Sequence, residues 1–184
     1  MIGIDEVGRG CWAGPLLVVA ARQVGVLPEG LADSKVLKRQ QREALIEAIQ
    51  ASCDLGAGWV EPAEIDEIGL TAAMHLAVQR ALLALEAQTD EAIIMDGNIN
   101  YCPEQFTNVQ CIVKADAAYP IVSAASIYAK VSRDQKMGQF AEQFPGYGFA
   151  EHVGYGTKAH LAALQTLGVT ELHRRSYKPI QAFL

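Results

Sequence analysis

The chain has 184 residues, 51% of them hydrophobic, and its formal net charge is −6. This length and composition predict one globular domain over residues 1–184, and the net acidity argues against a protein that wraps nucleic acid with a broad basic face. No apolar run approaches the roughly 20 residues of a membrane span, and no signal-peptide pattern is present at the N-terminus. We therefore expect a cytoplasmic protein with no membrane association, and we expect it to be a monomer.

The first half of the chain predicts a β-hairpin followed by two helices with a strand between them. Residues 2–6 alternate apolar with small or acidic residues, and "LLVVAARQV" follows a glycine-punctuated turn as the second strand. The stretch "ADSKVLKRQQREALIEAIQA" predicts a loop and then an amphipathic helix with Asp33 or Ser34 as its cap. "CDLGAGWVEP" predicts a third strand, and helical spacing of leucines follows Pro62.

The second half of the chain predicts two short strands and then mainly helix. "EAIIMDG" and "NVQCIVKAD" are apolar runs that end in Asp96 and Asp116, as strands do at the edge of a sheet. "SAASIYAKVSRDQKMGQFAEQF" predicts a long helix capped by Ser123. From Pro145 the chain is rich in glycine and histidine, becomes helical through "KAHLAALQTLG" and closes with the basic stretch "HRRSYKP".

Three apolar runs end in acids, which are Asp5 with Glu6, Asp96, and Asp116. A single acid in such a place is most often a solvated strand end or a helix cap. The recurrence favours a different interpretation, because strand ends at one edge of a sheet bring distant residues together. The sequence therefore predicts a cluster of four carboxylates.

A carboxylate cluster of this kind needs a cation, because like charges a few ångströms apart repel and force protonation. Oxygen ligands suit Mg²⁺ or Mn²⁺, and no histidine or cysteine lies beside these acids in the sequence to favour zinc. Two such ions about 4 Å apart can activate water and stabilise the leaving oxygen of a phosphodiester. The acids thus point to metal-dependent hydrolysis.

The segment "GRGCWAG" that follows the first acids has two further interpretations. It does not fit a dinucleotide-binding loop, because its glycines lack the G-x-G-x-x-G spacing and a β-branched run follows instead of a helix. Gly8 and Gly10 can serve a tight turn with positive φ. They can also allow close approach of another backbone, with Arg9 between them contacting a phosphate.

The chain resembles ribonuclease HII, the type 2 ribonuclease H of bacteria, over nearly its whole length. "GIDEVGRGCWAGPL" is similar to the opening D-E-x-G-R-G segment of that family, and "DSKVL" is similar to its D-S-K-x-L loop. "MDG", "KADAAYPIVSAASIYAKVSRD", "GYGTKAH" and "HRRSYKP" occur in the order of the family. Two positions depart from its pattern, since Val153 stands where many relatives have lysine and Gly69 where asparagine is frequent.

The resemblance implies an α/β ribonuclease H-like fold, a mixed β-sheet flanked by helices with a helical C-terminal extension from about residue 145. It implies that Asp5, Glu6, Asp96 and Asp116 are catalytic and bind the metal. Substrate contacts are implied for Gly8, Arg9, Gly10, Ser34, Lys35 and Tyr155. Among these, the Gly-Arg-Gly backbone would contact the 2′-hydroxyl, and the tyrosine would stack on the deoxyribose that follows the ribonucleotide.

The implied activity is an endonuclease that cuts on the 5′ side of a ribonucleotide, in an RNA/DNA hybrid or in duplex DNA that contains single ribonucleotides. The products would carry 3′-hydroxyl and 5′-phosphate ends, and the cofactor would be Mg²⁺ or Mn²⁺. Two alternatives remain at this point. One is a non-catalytic module that binds hybrids or junctions, and the other is a different nuclease of the ribonuclease H-like superfamily.

Overall fold

A mixed five-stranded sheet forms the centre of the molecule in the computed structural model, which describes residues 1–31 and 37–184. Its strands are β1 (Ile2–Val7), β2 (Leu16–Gln23), β3 (Cys53–Val60), β4 (Ile93–Asp96) and β5 (Val109–Ile112), in the spatial order β3-β2-β1-β4-β5. The first three strands are antiparallel, whereas β4 and β5 run parallel to β1. The predicted hairpin of β1 and β2 is confirmed, with Asp5 opposite Val19.

Helices cover both faces of this sheet. They are α1 (Arg39–Ser52), α2 (Pro62–Ala84), α3 (Ala115–Ala118), α4 (Pro120–Gln143), α5 (Phe149–His152), α6 (Lys158–Leu167) and α7 (Lys178–Gln181). Helix α2 packs on one face and α1 with α4 on the other. In β2, Leu16 and Val18 point into the α2 side of the core while Leu17 and Val19 point into the α4 side, which explains why this strand is apolar throughout.

A third apolar cluster lies beneath the C-terminal helices. Met137 of α4 packs with Tyr147, Phe149 and Leu172 of the segments that follow. The predicted mixed sheet flanked by helices, with a helical C-terminal part, is therefore confirmed. Within the described residues, no helix is both long enough and apolar enough to cross a membrane.

The start of α4 differs from the prediction. Ser123 does not cap α4, because the helix begins three residues earlier at Pro120, with Tyr119 as its N-cap. Proline suits a first helical position, since it has no N–H to satisfy and its φ is already helical. The predicted caps of the first helix, Asp33 and Ser34, lie outside the described residues, and α1 begins at Arg39.

Helix α2 is kinked near its start. Gly69 has φ 78° and ψ 159°, which are not helical values, and the chain resumes the helix after it. This residue is one of the two departures from the family pattern. A residue with a side chain would be strained at such a φ, so glycine permits the bend.

Candidate active site

Three carboxylates meet at the carboxyl ends of the central parallel strands. One oxygen from each of Asp5, Asp96 and Asp116 lies within 4.8 Å of the other two. Strands β1 and β4 are parallel neighbours, with Ile4 opposite Met95, so the acids that follow these residues lie side by side. The third acid comes from α3, the single turn of helix that follows β5.

The hydrogen bonds of this cluster hold two of its carboxylates in fixed orientations. The Oδ1 atom of Asp5 accepts a bond of 2.8 Å from the backbone N–H of Glu6. The Oδ1 atom of Asp96 accepts one of 2.7 Å from the N–H of Ala115, at the start of α3. The short helix therefore orients one acid through its backbone while it supplies another.

Negative charge on Asp5 is costly in the absence of a cation. Burial, opposed by a hydrogen bond from Ser126 and reinforced by the charges of Glu6 and Asp96, raises the pKa of Asp5 to about 7. Asp5 and Asp116 are both almost fully buried. An all-oxygen donor set in which Asp5 resists ionisation on its own fits a hard divalent cation, because the cation supplies the missing positive charge.

Glu6 is the predicted metal ligand that lies outside this three-carboxylate group. Its side chain is partly exposed, and its Oε1 atom lies 3.8 Å from Nη1 of Arg9. Consecutive residues of a strand point to opposite faces, so Glu6 does not share the direction of Asp5. It still contributes negative charge at the cluster through its effect on the pKa of Asp5.

The Gly-Arg-Gly loop follows directly after β1. Gly8 has φ 88°, in the left-handed region, while no atom of residues 1–31 or 37–184, apart from Gly10 and its two chain neighbours, lies within 4 Å of the Cβ position of Gly10. The Arg9 side chain is about half exposed, and its Nη2 atom donates a bond of 3.2 Å to the hydroxyl of Tyr101. The loop thus presents one open glycine and one anchored guanidinium beside the acids.

Two buried arginines support this loop. The sequence predicts no site role for Arg133, and for the basic C-terminal stretch that contains Arg174 it predicts only contacts with flanking phosphates, which the burial of Arg174 excludes for this residue. Arg133 of α4 and Arg174, which precedes α7, are both completely buried. Arg174 donates to the backbone carbonyls of Gly8 and Arg9, and Arg133 donates to that of Pro15. Their only sequence signal was position, within "VSRD" and "HRRSY", two of the motifs that carry the family resemblance.

Tyr155 lies on a segment that packs against the other end of the same loop. The backbone N–H groups of Trp12 and Ala13 both donate to the carbonyl of Gly154. Tyr155 itself is 41% exposed, although burial of its hydroxyl end near Cys11 raises its pKa. The residue two positions earlier, Val153, has φ 44°, which is an unusual value for a β-branched side chain.

Three buried histidines form a chain behind this tyrosine. His173 Nδ1 accepts a bond from the backbone N–H of Thr170, so its Nε2 carries the proton and donates to His160 Nε2 at 3.1 Å. His160 Nδ1 in turn donates to the carbonyl of Tyr155 at 3.0 Å. The ring of His152 stacks on that of His160. Burial lowers the pKa of His160 and lowers that of His173 to about 4, so both are neutral at pH 7.

Two predicted substrate contacts, Ser34 and Lys35, lie outside the described residues. The other predicted site residues fall on the first loop, the carboxyl ends of the strands, and the segment after α5. The fold brings all of these segments to one region through the contacts just described.

The fold and its carboxylate cluster define a ribonuclease H-like nuclease. The chain belongs to the ribonuclease HII family, whose profile matches residues 2–180. The ribonuclease HII of Coxiella burnetii (strain Dugway 5J108-111) is 45% identical over 181 residues, which cover 97% of this chain and 88% of the relative. The resemblance drawn from the motifs is therefore confirmed, and the chain is a hydrolytic endoribonuclease.

Solved structures agree with this assignment. The ribonuclease HII in a complex with PCNA from Archaeoglobus fulgidus superimposes with a TM-score of 0.78 at 28% identity, over 96% of this chain and 94% of the other. The ribonuclease H2 of Pyrococcus horikoshii OT3 gives a TM-score of 0.76 at 27% identity, over 99% and 95% of the two chains. The whole described fold is thus shared with enzymes of this type.

Proposed function

We propose that the chain hydrolyses the phosphodiester on the 5′ side of a ribonucleotide, both in RNA/DNA hybrids and in duplex DNA that contains single ribonucleotides. The products would carry 3′-hydroxyl and 5′-phosphate ends. The observation that carries this proposal is the approach of Asp5, Asp96 and Asp116 to within 4.8 Å of one another beside the Gly-Arg-Gly loop. Chemistry and recognition of the 2′-hydroxyl would then occur on adjacent residues.

We assign metal binding to these three aspartates, whose oxygens already lie together, and to Glu6 on its motif, since its carboxylate lies outside that group; the metal is Mg²⁺ or Mn²⁺. Support comes from the oxygen-only donor set and from the cost of charging Asp5 in the absence of a cation. When bound, such ions supply an activated water and neutralise charge on the departing 3′-oxygen. The protein needs no nucleophile of its own, so none of the histidines has a catalytic role in this proposal.

The remaining predicted site residues would bind and orient the substrate. Gly8 and Gly10 allow the backbone to approach the 2′-hydroxyl, which is the group that distinguishes a ribonucleotide from a deoxyribonucleotide. Arg9 contacts a neighbouring phosphate, and Tyr155 stacks on the following deoxyribose. Ser34 and Lys35 are assigned to flanking phosphates on their motif alone.

We infer that the enzyme acts as a monomer in the cytoplasm. The four cysteines are all free, which fits a reducing compartment. The proposed nucleic-acid partner is a polyanion, whereas the chain carries a net charge of −6. Binding therefore depends on local donors and on cations at the carboxylates, not on the overall charge.

The proposed function is tested with a duplex that carries one ribonucleotide, incubated with Mg²⁺ or Mn²⁺. We expect one cut on the 5′ side of the ribonucleotide. The variant Asp96→Asn should lose activity by about 1,000-fold or more, because several kcal/mol of charge stabilisation are removed. Asp90→Asn, at an exposed acid away from the site, is the matched control and should cut normally.

Two results would contradict the proposal. One is a folded protein that binds the duplex with metal present and leaves it intact, which would favour a binding module. The other is undiminished cutting by Asp96→Asn or in excess chelator. Equal cutting of all-DNA junctions would show a less selective nuclease.

A further inference from the structure

Arg133 forms a bridge between the Gly-Arg-Gly loop and the segment that carries Tyr155. Its Nε atom donates to the carbonyl of Pro15 at 2.8 Å and its Nη2 atom to that of Ala13 at 3.2 Å. Its Nη1 atom donates to the carbonyl of Val153 at 2.8 Å. One rigid guanidinium therefore fixes two separate backbone segments relative to each other.

Arg174 holds the loop itself from the inner side. Its Nη2 atom donates to the carbonyl of Gly8 at 2.7 Å, and its Nη1 atom donates to that of Arg9 at 2.9 Å. It also donates to the carbonyl of Gly14. Because these carbonyls face the buried guanidinium, the conformation of the loop is set from within the protein.

The energetic cost of burying two charges restricts the loop to one conformation. A completely buried guanidinium is strongly destabilising unless its N–H groups are satisfied, and charge-assisted hydrogen bonds are stronger than neutral ones. Both arginines donate to backbone carbonyls of the residue 8–15 loop. Any displacement of that loop would therefore break bonds to a buried charge, which keeps it in one conformation.

The two segments also contact each other directly. The N–H of Trp12 donates to the carbonyl of Gly154 at 2.8 Å, and a Cβ on Gly156 would clash with the Trp12 ring. Tyr155 lies between these two glycines. The loop, Arg133 and the tyrosine segment thus form one rigid unit, with an exposed aromatic ring at one end and the open Gly10 at the other.

We propose that Arg133 and Arg174 are positioning residues that fix the spacing between the Gly-Arg-Gly loop and Tyr155, and that this spacing selects a ribonucleotide followed by a deoxyribonucleotide. This inference rests on the proposed function. The loop contacts the ribose and the tyrosine stacks on the next sugar. The buried arginines set the distance between these two contact sites. Neither arginine touches the substrate.

A purely structural role for the arginines makes a different prediction. If they only stabilised the fold, a substitution would reduce cleavage of every substrate in proportion to the folded fraction. A positioning role changes the preference between substrates instead. The decisive quantity is the ratio of kcat/KM for a duplex with a single ribonucleotide to kcat/KM for a long RNA/DNA hybrid of the same sequence.

Arg133→Lys is the principal variant, because lysine keeps the charge but cannot donate in three fixed directions. We expect this ratio to fall about tenfold, since small displacements of a group that positions the substrate reduce turnover strongly. The matched control is Arg80→Lys. Arg80 also donates to a backbone carbonyl, that of Trp59, but it makes no hydrogen bond to residues 8–15 or 153–156, all of which the structure describes, so the substitution should leave the ratio unchanged.

A double-mutant cycle with Tyr155→Ala tests whether Arg133 acts through the tyrosine. In that background, Arg133→Lys should alter the ratio by less than about twofold. An unchanged ratio in the single variant, or a full tenfold fall in the Tyr155→Ala background, would overturn the inference.

Folding is checked by circular dichroism, and Arg174→Lys is the second variant should Arg133→Lys not fold. Arg174→Lys should lower the same ratio. If neither lysine variant folds, the arginines are purely structural and the inference is overturned. If the wild type leaves both substrates uncut, the proposed function itself fails, which is a different result from an unchanged ratio.

Discussion

At the scale of single residues, the two glycines of the Gly-Arg-Gly loop have different physical roles. Gly8 has φ 88°, and a Cβ there would clash with Nε of Arg133 and lie 2.8 Å from the carbonyl oxygen of Pro15. Among the residues that the structure describes, none beyond its two chain neighbours has an atom within 4 Å of the same position at Gly10. The first glycine is therefore required by the fold, whereas the second is available to the substrate.

Gly8→Ala should accordingly destabilise the protein by about 2–4 kcal/mol, the sum of backbone strain and overpacking. Gly10→Ala should leave the free energy of unfolding nearly unchanged and reduce cleavage, because its added methyl group would face the bound ribose. Urea denaturation and a cleavage assay on the same preparations distinguish the two effects. Equal losses of stability in both variants would refute this division of roles.

The sequence predicted the acidic residues of the site better than the buried arginines that hold the neighbouring loop. Asp5, Asp96 and Asp116 could be found because each follows an apolar run, and strand ends meet at one edge of a sheet. Arg133 and Arg174 could not be found in this way, because a charged residue in a polar stretch is usually solvated. Their burial depends on contacts with residues about 120 to 166 positions away, and local sequence patterns carry no information about such distant contacts.

At the scale of secondary-structure elements, the segment before α7 is attached to the start of α2 by one side chain. The carboxylate of Asp66 accepts bonds of 2.8 Å from the backbone N–H groups of Arg175 and Ser176, and one from the Ser176 hydroxyl. Arg174, which holds the Gly-Arg-Gly loop, is the preceding residue. Helix α2 thereby helps to position the loop through the segment that carries Arg174.

We therefore expect Asp66→Ala to loosen this segment and to reduce cleavage. The loss of stability should be about 1 kcal/mol, because the three hydrogen bonds are exposed to solvent. Faster cleavage by trypsin within residues 174–178 would reveal the loosening directly. The neighbouring exposed acid provides the control, and Glu67→Ala should change neither property. Unaltered proteolysis in Asp66→Ala would show that other contacts suffice.

Element boundaries were less predictable than element types. The sequence indicated the sheet strands and long helices because apolar spacing repeats over many residues. It missed the single-turn α3, which is too short for a periodic pattern, and so it treated Asp116 as a strand end. It also placed the cap of α4 at Ser123. This residue instead lies within the first turn of α4, and its hydroxyl donates to the backbone carbonyl of Asp116 in α3.

At the scale of the whole molecule, the pH dependence of folding reflects opposing groups. The pKa of Asp5 is raised in the folded state, so its stabilising contribution is present at low pH and is lost as the pH rises through about 7. His173 has the opposite sign, because its lowered pKa makes the fold less stable as the pH falls from about 6.5 towards 4. The two effects partly cancel in the metal-free protein.

The contribution of Asp5 can be isolated by comparing the wild type with Asp5→Asn, because both retain the histidines. Between pH 6 and pH 8 the wild type should lose about 1.4 kcal/mol relative to the variant in the absence of metal. Adding Mn²⁺ should stabilise the wild type more at pH 8 than at pH 6, since the cation requires the ionised carboxylate. Thermal unfolding with and without chelator measures both effects. Parallel pH profiles for the two proteins would exclude this role of Asp5.

The buried contact between Arg174 and the loop after β1 joins residues 165 positions apart. Because chains are synthesised from the N-terminus, the three aspartates leave the ribosome before the guanidinium that orders the loop. The loop after β1 therefore cannot make its hydrogen bonds to Arg174 until the C-terminal segment has been synthesised. We therefore expect the proposed substrate selectivity to be completed last in biosynthesis and to fall first when the C-terminal segment comes loose.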